Sequence, residues 1–104
     1  MLERAARRAE PVALSGMSLL EIAVLRSDGK LKLPLAEFFD DLQASPLFRL
    51  LPLTYEIALE VASLGSSLRD PADRAIVATA RVHRLRLVTS DQRIVESKLV
   101  PMVD

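Results

Sequence analysis

Short apolar runs that suit strands alternate along this chain with stretches whose apolar residues are spaced for helices. Val12, Ala13 and Leu14, followed by Ser15, form a continuous run of the kind a buried strand shows. Ser18 then offers a cap for a helix over 19–26, which Ser27, Asp28 and Gly29 stop. Leu31, Lys32 and Leu33 read as extended up to Pro34. Leu35, Phe38, Phe39 and Leu42 recur at i, i+3, i+4 and i+7, the stripe of an amphipathic helix, and Ser45-Pro46 breaks it. Leu50, Leu51 and Leu53, around Pro52, predict a second short strand. Thr54 caps a helix carrying Ile57, Ala58, Val61 and Leu64, closed by Gly65.

Asp70-Pro71 is a strong helix start, a capping carboxylate followed by proline at the first helical position, and it opens an alanine-rich helix over 71–82. Residues 85–89 predict a strand and Asp91 follows it. A further turn is expected over 94–97. Residues 99–103 could form a last strand, which Pro101 places at a sheet edge. At the other end, residues 2–9 read as a short basic helix ending before Pro11. Strands alternating with helices predict an α/β fold, one domain over 1–104, with a largely parallel sheet and helices on its faces. Sheets of this kind place their sites at the carboxyl ends of the strands.

Composition narrows the chemistry. The 104 residues suit one small domain. Cysteine is absent, which removes disulfides, thiolate metal sites and cysteine nucleophiles and agrees with a reducing cytoplasm. Basic and acidic residues balance at 14 each, so any contact with nucleic acid must rest on local arginines rather than on overall charge. No apolar run approaches the roughly 20 residues that a membrane span needs, and 1–11 has no apolar core of a secretory signal.

Three acidic residues fall where the predicted topology would gather them. Glu21 lies about one helical turn beyond the first strand, Asp73 lies in the first turn of the 71–82 helix, and Asp91 follows the strand over 85–89. Helix N-termini collect at the carboxyl edge of a right-handed α/β sheet, so the three can meet there. Clustered carboxylates repel one another unless a cation sits among them, and a hard divalent ion prefers such oxygen ligands. Each residue also has an ordinary structural role open to it: a solvated helix position for Glu21, a partner of the helix dipole for Asp73, a turn for Asp91. His83, the single histidine, reads as a surface residue at a helix end.

Together the segments resemble a known family. Ser15-Gly16-Met17-Ser18-Leu19-Leu20-Glu21-Ile22-Ala23 is similar to the S-x-x-S-x-x-E-I-A stretch of PIN domains. Asp70-Pro71-Ala72-Asp73-Arg74-Ala75-Ile76-Val77-Ala78-Thr79-Ala80 resembles their D-P-x-D-R-x-I-x-A-T-A helix, and Leu87-Val88-Thr89-Ser90-Asp91 resembles the L-V-T-x-D motif that follows. Order and spacing match over nearly the whole chain, and the resemblance is strongest to toxins of the VapC type. It implies an endoribonuclease using Mg²⁺ or Mn²⁺, acting on RNA, dimeric or of higher order, and restrained by a cognate antitoxin. It implies Glu21, Asp73 and Asp91 as metal-site acids. Ser18 and Thr89 would lie beside the site, Asp70 would be auxiliary, and Arg74 and Arg93 could contact phosphate.

The front of the chain departs from the family pattern. Family members open with an apolar strand, central in the sheet, that ends in a metal-binding aspartate; no such segment is found here. Asp28, Asp40 and Asp41 sit on a loop and a polar helix face and are not replacements. The resemblance therefore implies a weakened metal site, with weak or absent cleavage in this form, or a non-catalytic module that binds an antitoxin or itself. It also predicts a rearranged sheet, or a dimer in which one subunit covers another's exposed strand edge.

Overall fold

The computed structural model describes residues 4–6, 12–88 and 92–102. In chain order the elements are β1 (Arg4–Ala6), β2 (Val12–Ser15), α1 (Gly16–Ser27), α2 (Leu35–Ala44), β3 (Phe48–Leu51), α3 (Tyr55–Ser63), α4 (Pro71–Val82), β4 (Arg86–Val88) and α5 (Gln92–Ser97). The sheet order is β3-β2-β1-β4. β2 pairs with β3 in parallel, Leu14 opposite Leu50, while β1 is antiparallel to both β2 and β4. It follows that β2, β3 and β4 all point the same way and β1 alone runs against them. The fold is the expected α/β arrangement, with helices flanking a sheet whose β2–β3 pair is parallel and whose two β1 pairs are antiparallel.

Over Arg4–Ala6, β1 corrects the expectation of a helix over 2–9, whose other residues lie outside the described ones. Ala5 pairs with Ala13 on one side and with Leu87 on the other, so this segment fills the slot between β2 and β4. Arginine and alanine favour a helix locally, but a vacant pair of buried strand edges rewards any backbone that can complete the ladder.

Three other expectations shift. The first long helix begins at Gly16 rather than after Ser18: Ser15 is its cap, with Oγ accepting from the Met17 N–H at 3.0 Å. Gly16 eases that abrupt strand-to-helix change, because a Cβ there would sit tightly, 3.3 Å from the Leu53 nitrogen. Residues 31–33 form no strand, and of the expected strand over 99–103 only a single parallel bridge, Leu87 to Met102, is formed among the described residues. The Leu87 N–H donates to the Pro101 carbonyl at 2.9 Å.

The core lies between the sheet and α3, α4 and α5. Leu51, Ile57, Leu68, Ile76, Leu87 and Ile94 are its larger members. α4 is buried through Ile76, Val77, Ala78, Thr79 and Ala80 in succession, and the alanines let it approach closely. Its start is the one the sequence predicts, with the Asp70 carboxylate accepting from the Asp73 N–H at 3.0 Å. α1 ends where expected as well, at Gly29 with φ +75°, a conformation that suits glycine.

Candidate metal and RNA site

Both helices that carry the predicted acids start at the same edge of the sheet. α1 leaves β2 directly from its carboxyl end. α4 runs back toward the start of β4, so its own N-terminus lies at the carboxyl edge. This brings Glu21 on α1 and Asp73 on α4 into each other's field.

Asp73 is only 6% exposed, a rare position for an aspartate. The Arg93 guanidinium, reaching over from α5, lies 3.4 Å from Asp73 Oδ2. Glu21 is half-buried, and its Oε1 accepts no hydrogen bond among the described residues. Burial holds the Glu21 carboxyl above its ordinary pKa, and the negative charges of Asp73 and Asp70 push it the same way. A buried carboxylate oxygen with unused acceptor capacity, facing further negative charge, is an arrangement that a cation would relieve.

A hydroxyl pair joins the two acid-bearing helices. Ser15 Oγ, at the head of α1, lies 3.3 Å from Thr79 Oγ1 on α4, and Thr79 donates to the Ala75 carbonyl at 2.7 Å. With that proton committed, Ser15 donates to Thr79 while accepting from Met17, so both buried hydroxyls are satisfied. Ser18 is fully buried in the first turn of α1 and is part of this packing rather than a helix cap.

Two cavities flank the acids. One of about 320 Å³ is lined by Ser67, Leu68, Arg69, Asp70, Asp73 and Arg93. The other, about 660 Å³, is an apolar groove between α1 and α2, walled by Met17, Leu20, Val24, Leu25, Leu33 and Phe38, with Glu21 as its acidic member. Glu21 therefore lines the apolar groove, while Asp70 and Asp73 line the charged cavity.

Asp91 and Thr89 lie outside the described residues. Among the described residues no group of three metal-ligating side chains comes together. Arg93 is exposed beside Asp73, at the mouth of the charged cavity. Arg74 is half-buried and its guanidinium is engaged by the protein itself, donating to the backbone carbonyls of Val61, Gly65 and Leu68. Sequence reasoning missed that role, and nothing in the D-P-x-D-R spacing reveals it. It also missed Arg69 at the charged cavity and the Ser15–Thr79 link. The last had a signal, because a threonine inside a buried alanine-rich stretch needs a partner.

The PIN domain family matches the chain over residues 2–98. Ribonuclease VapC22 of Mycobacterium tuberculosis is 34% identical over 92 residues, covering 88% of this chain and 71% of that protein. No solved structure matches. No helix among the described residues is long and apolar enough to cross a membrane.

Proposed function

Because the chain belongs to the PIN domain family, we propose that it is a metal-dependent endoribonuclease of the toxin–antitoxin kind, cutting RNA in the cytoplasm. The observation that carries this reading is the convergence of Glu21 and Asp73 from two separate helices, with a buried Glu21 oxygen left unsatisfied. Similarity to a protein named a ribonuclease supports it.

The donor set suits Mg²⁺ or Mn²⁺: carboxylate oxygens, with no cysteine in the chain and its one histidine at the far end of α4. Glu21, Asp73 and Asp91 would hold the ion, which when bound supplies an activated water and stabilises charge developing on the scissile phosphate. Arg93, whose guanidinium lies beside Asp73, would bind a phosphate oxygen of the RNA. Ser18 and Thr89 would orient the acids. Incubation of single-stranded RNA with the protein and Mg²⁺ or Mn²⁺ tests this: cleavage should stop with chelator and in Asp73→Asn and Asp91→Asn. Cleavage that survives both substitutions contradicts the reading.

A second reading, a module that binds a cognate antitoxin with or without cleavage, is favoured by the apolar groove between α1 and α2. Leu20 and Val24 are each 51% exposed there, on a face that a partner's amphipathic helix would cover. Leu20→Asp should leave the fold intact and abolish capture of the antitoxin. Undiminished capture would move the partner elsewhere. Self-association into a homodimer would use exposed apolar residues such as Leu53, Tyr55 and Leu59. Light scattering that gives a monomer at micromolar concentration removes that part of the proposal.

A further inference from the structure

The loop between α3 and α4 has to deliver Asp70 and Asp73 to the acid site, yet it contains little that would hold it. Residues 65–70 form neither helix nor strand, and Gly65 sits at φ +74°. Leu68 is its buried anchor, at 2% exposure. The other fixed point is Arg74, one residue beyond Asp73 on α4. Its Nη1 lies 2.6 Å from the Gly65 carbonyl oxygen and 2.5 Å from that of Leu68, and its Nη2 lies 2.8 Å from the Val61 carbonyl oxygen. Val61 is in the last turn of α3, where carbonyls favour a cation, and its oxygen also accepts from the Leu64 N–H at 3.3 Å. One guanidinium therefore gathers the end of α3, the turn at Gly65 and the middle of the loop.

We propose that Arg74 is a positioning residue for the acid site, acting through backbone carbonyls rather than through substrate phosphate. By tying Val61, Gly65 and Leu68 to the first turn of α4, it fixes the path of the loop into Asp70. Asp70 in turn caps the Asp73 N–H. The pose of the Asp73 carboxylate thus depends on an arginine that touches neither metal nor RNA. This role needs a planar fork with several N–H donors at set angles, and a lysine ammonium does not reproduce it. The inference rests on the acid site described above as a cation site, and its test separates the two ideas.

Arg74→Lys and Arg74→Gln are compared with the wild-type protein, with folding checked by circular dichroism. Hydrogen exchange in the metal-free protein should quicken at the amides of residues 66–70 and at Asp73 in both variants. Mn²⁺ affinity, measured with the ion alone, should fall about 10- to 100-fold in both, the usual effect of losing a group that orients ligands. Where cleavage is measured, kcat should fall while KM for RNA changes little. Unchanged exchange in the loop overturns the proposal. So does Arg74→Lys with wild-type Mn²⁺ affinity. A phosphate contact would instead leave Mn²⁺ affinity intact in Arg74→Gln and lower the salt dependence of RNA binding by about one unit of slope. Failure of the wild-type protein to bind Mn²⁺ counts against the cation site itself, and loop exchange in the two variants still decides whether Arg74 holds the loop.

Discussion

α1 and α4 are both 12 residues long, both capped at the carboxyl edge of the sheet, and each carries one of the converging acids. They differ in how they are held. α4 buries Asp73 and then five residues in succession from Ile76 to Ala80. α1 buries only Ser18 and Ile22 and leaves Leu20 and Val24 half exposed along a groove. The site thus has one fixed wall, set by the core, and one wall whose outer face is open to a partner. Local opening is expected to be easier on the side with fewer buried contacts. A molecule that covers the groove on α1 would also bear on the placement of Glu21.

The largest effect that can break this comparison is on stability. Ile76→Ala on α4 should destabilise the protein by about 2–5 kcal/mol, as loss of a buried aliphatic side chain does. Leu20→Ala on α1 should change stability by less than about 0.5 kcal/mol. Urea unfolding of the two variants measures both, and similar losses would remove the distinction between the helices. A smaller effect comes from the cap of α4. Asp70→Ala frees the Asp73 N–H and should cost about 0.5–2 kcal/mol.

The smallest effect concerns Glu21 and depends on pH. Its folded pKa is raised, chiefly by burial and then by Asp73 and Asp70, so the folded state favours the protonated acid. That contribution is fully present in acid and is lost as pH rises through the raised value. Above that raised value the metal-free protein therefore carries a charged Glu21 at a penalty. Glu21→Gln should raise its melting temperature slightly there, and the gain should vanish in acid. Mn²⁺ should reverse the order by stabilising the wild-type protein alone. Thermal unfolding at two pH values, with and without the ion, checks the sign.

Much of this was legible in the sequence, for local reasons. Asp70-Pro71 marks α4 because a cap and an N1 proline act on their immediate neighbours. Thr54 marks α3 in the same way, with Oγ1 accepting from the Ile57 N–H at 3.3 Å. The apolar stripe of α2 and the glycine stop of α1 are also short-range signals. The failures are all non-local. Arg4–Ala6 is a strand only because β2 and β4 present it with two edges. Ser15 caps α1 because Gly16 lets the chain turn against Leu53, which no local propensity announces. Among the described residues, the strand expected over 99–103 is reduced to the one bridge that Leu87 makes with Met102, a pairing set by β4 rather than by local sequence. In the site, the acids stand out by residue type and order. The side chains that hold them in place, Arg74 and Thr79, can be recognised only once their partners are seen across the fold.

The central claim is that Glu21 and Asp73 form two sides of one cation site, and calorimetric titration with Mn²⁺ tests it most directly. The wild-type protein should bind the ion at a single site, and Glu21→Gln and Asp73→Asn should each abolish or strongly weaken that binding while leaving the fold intact. No binding by the wild-type protein, or binding indifferent to both substitutions, would contradict the account.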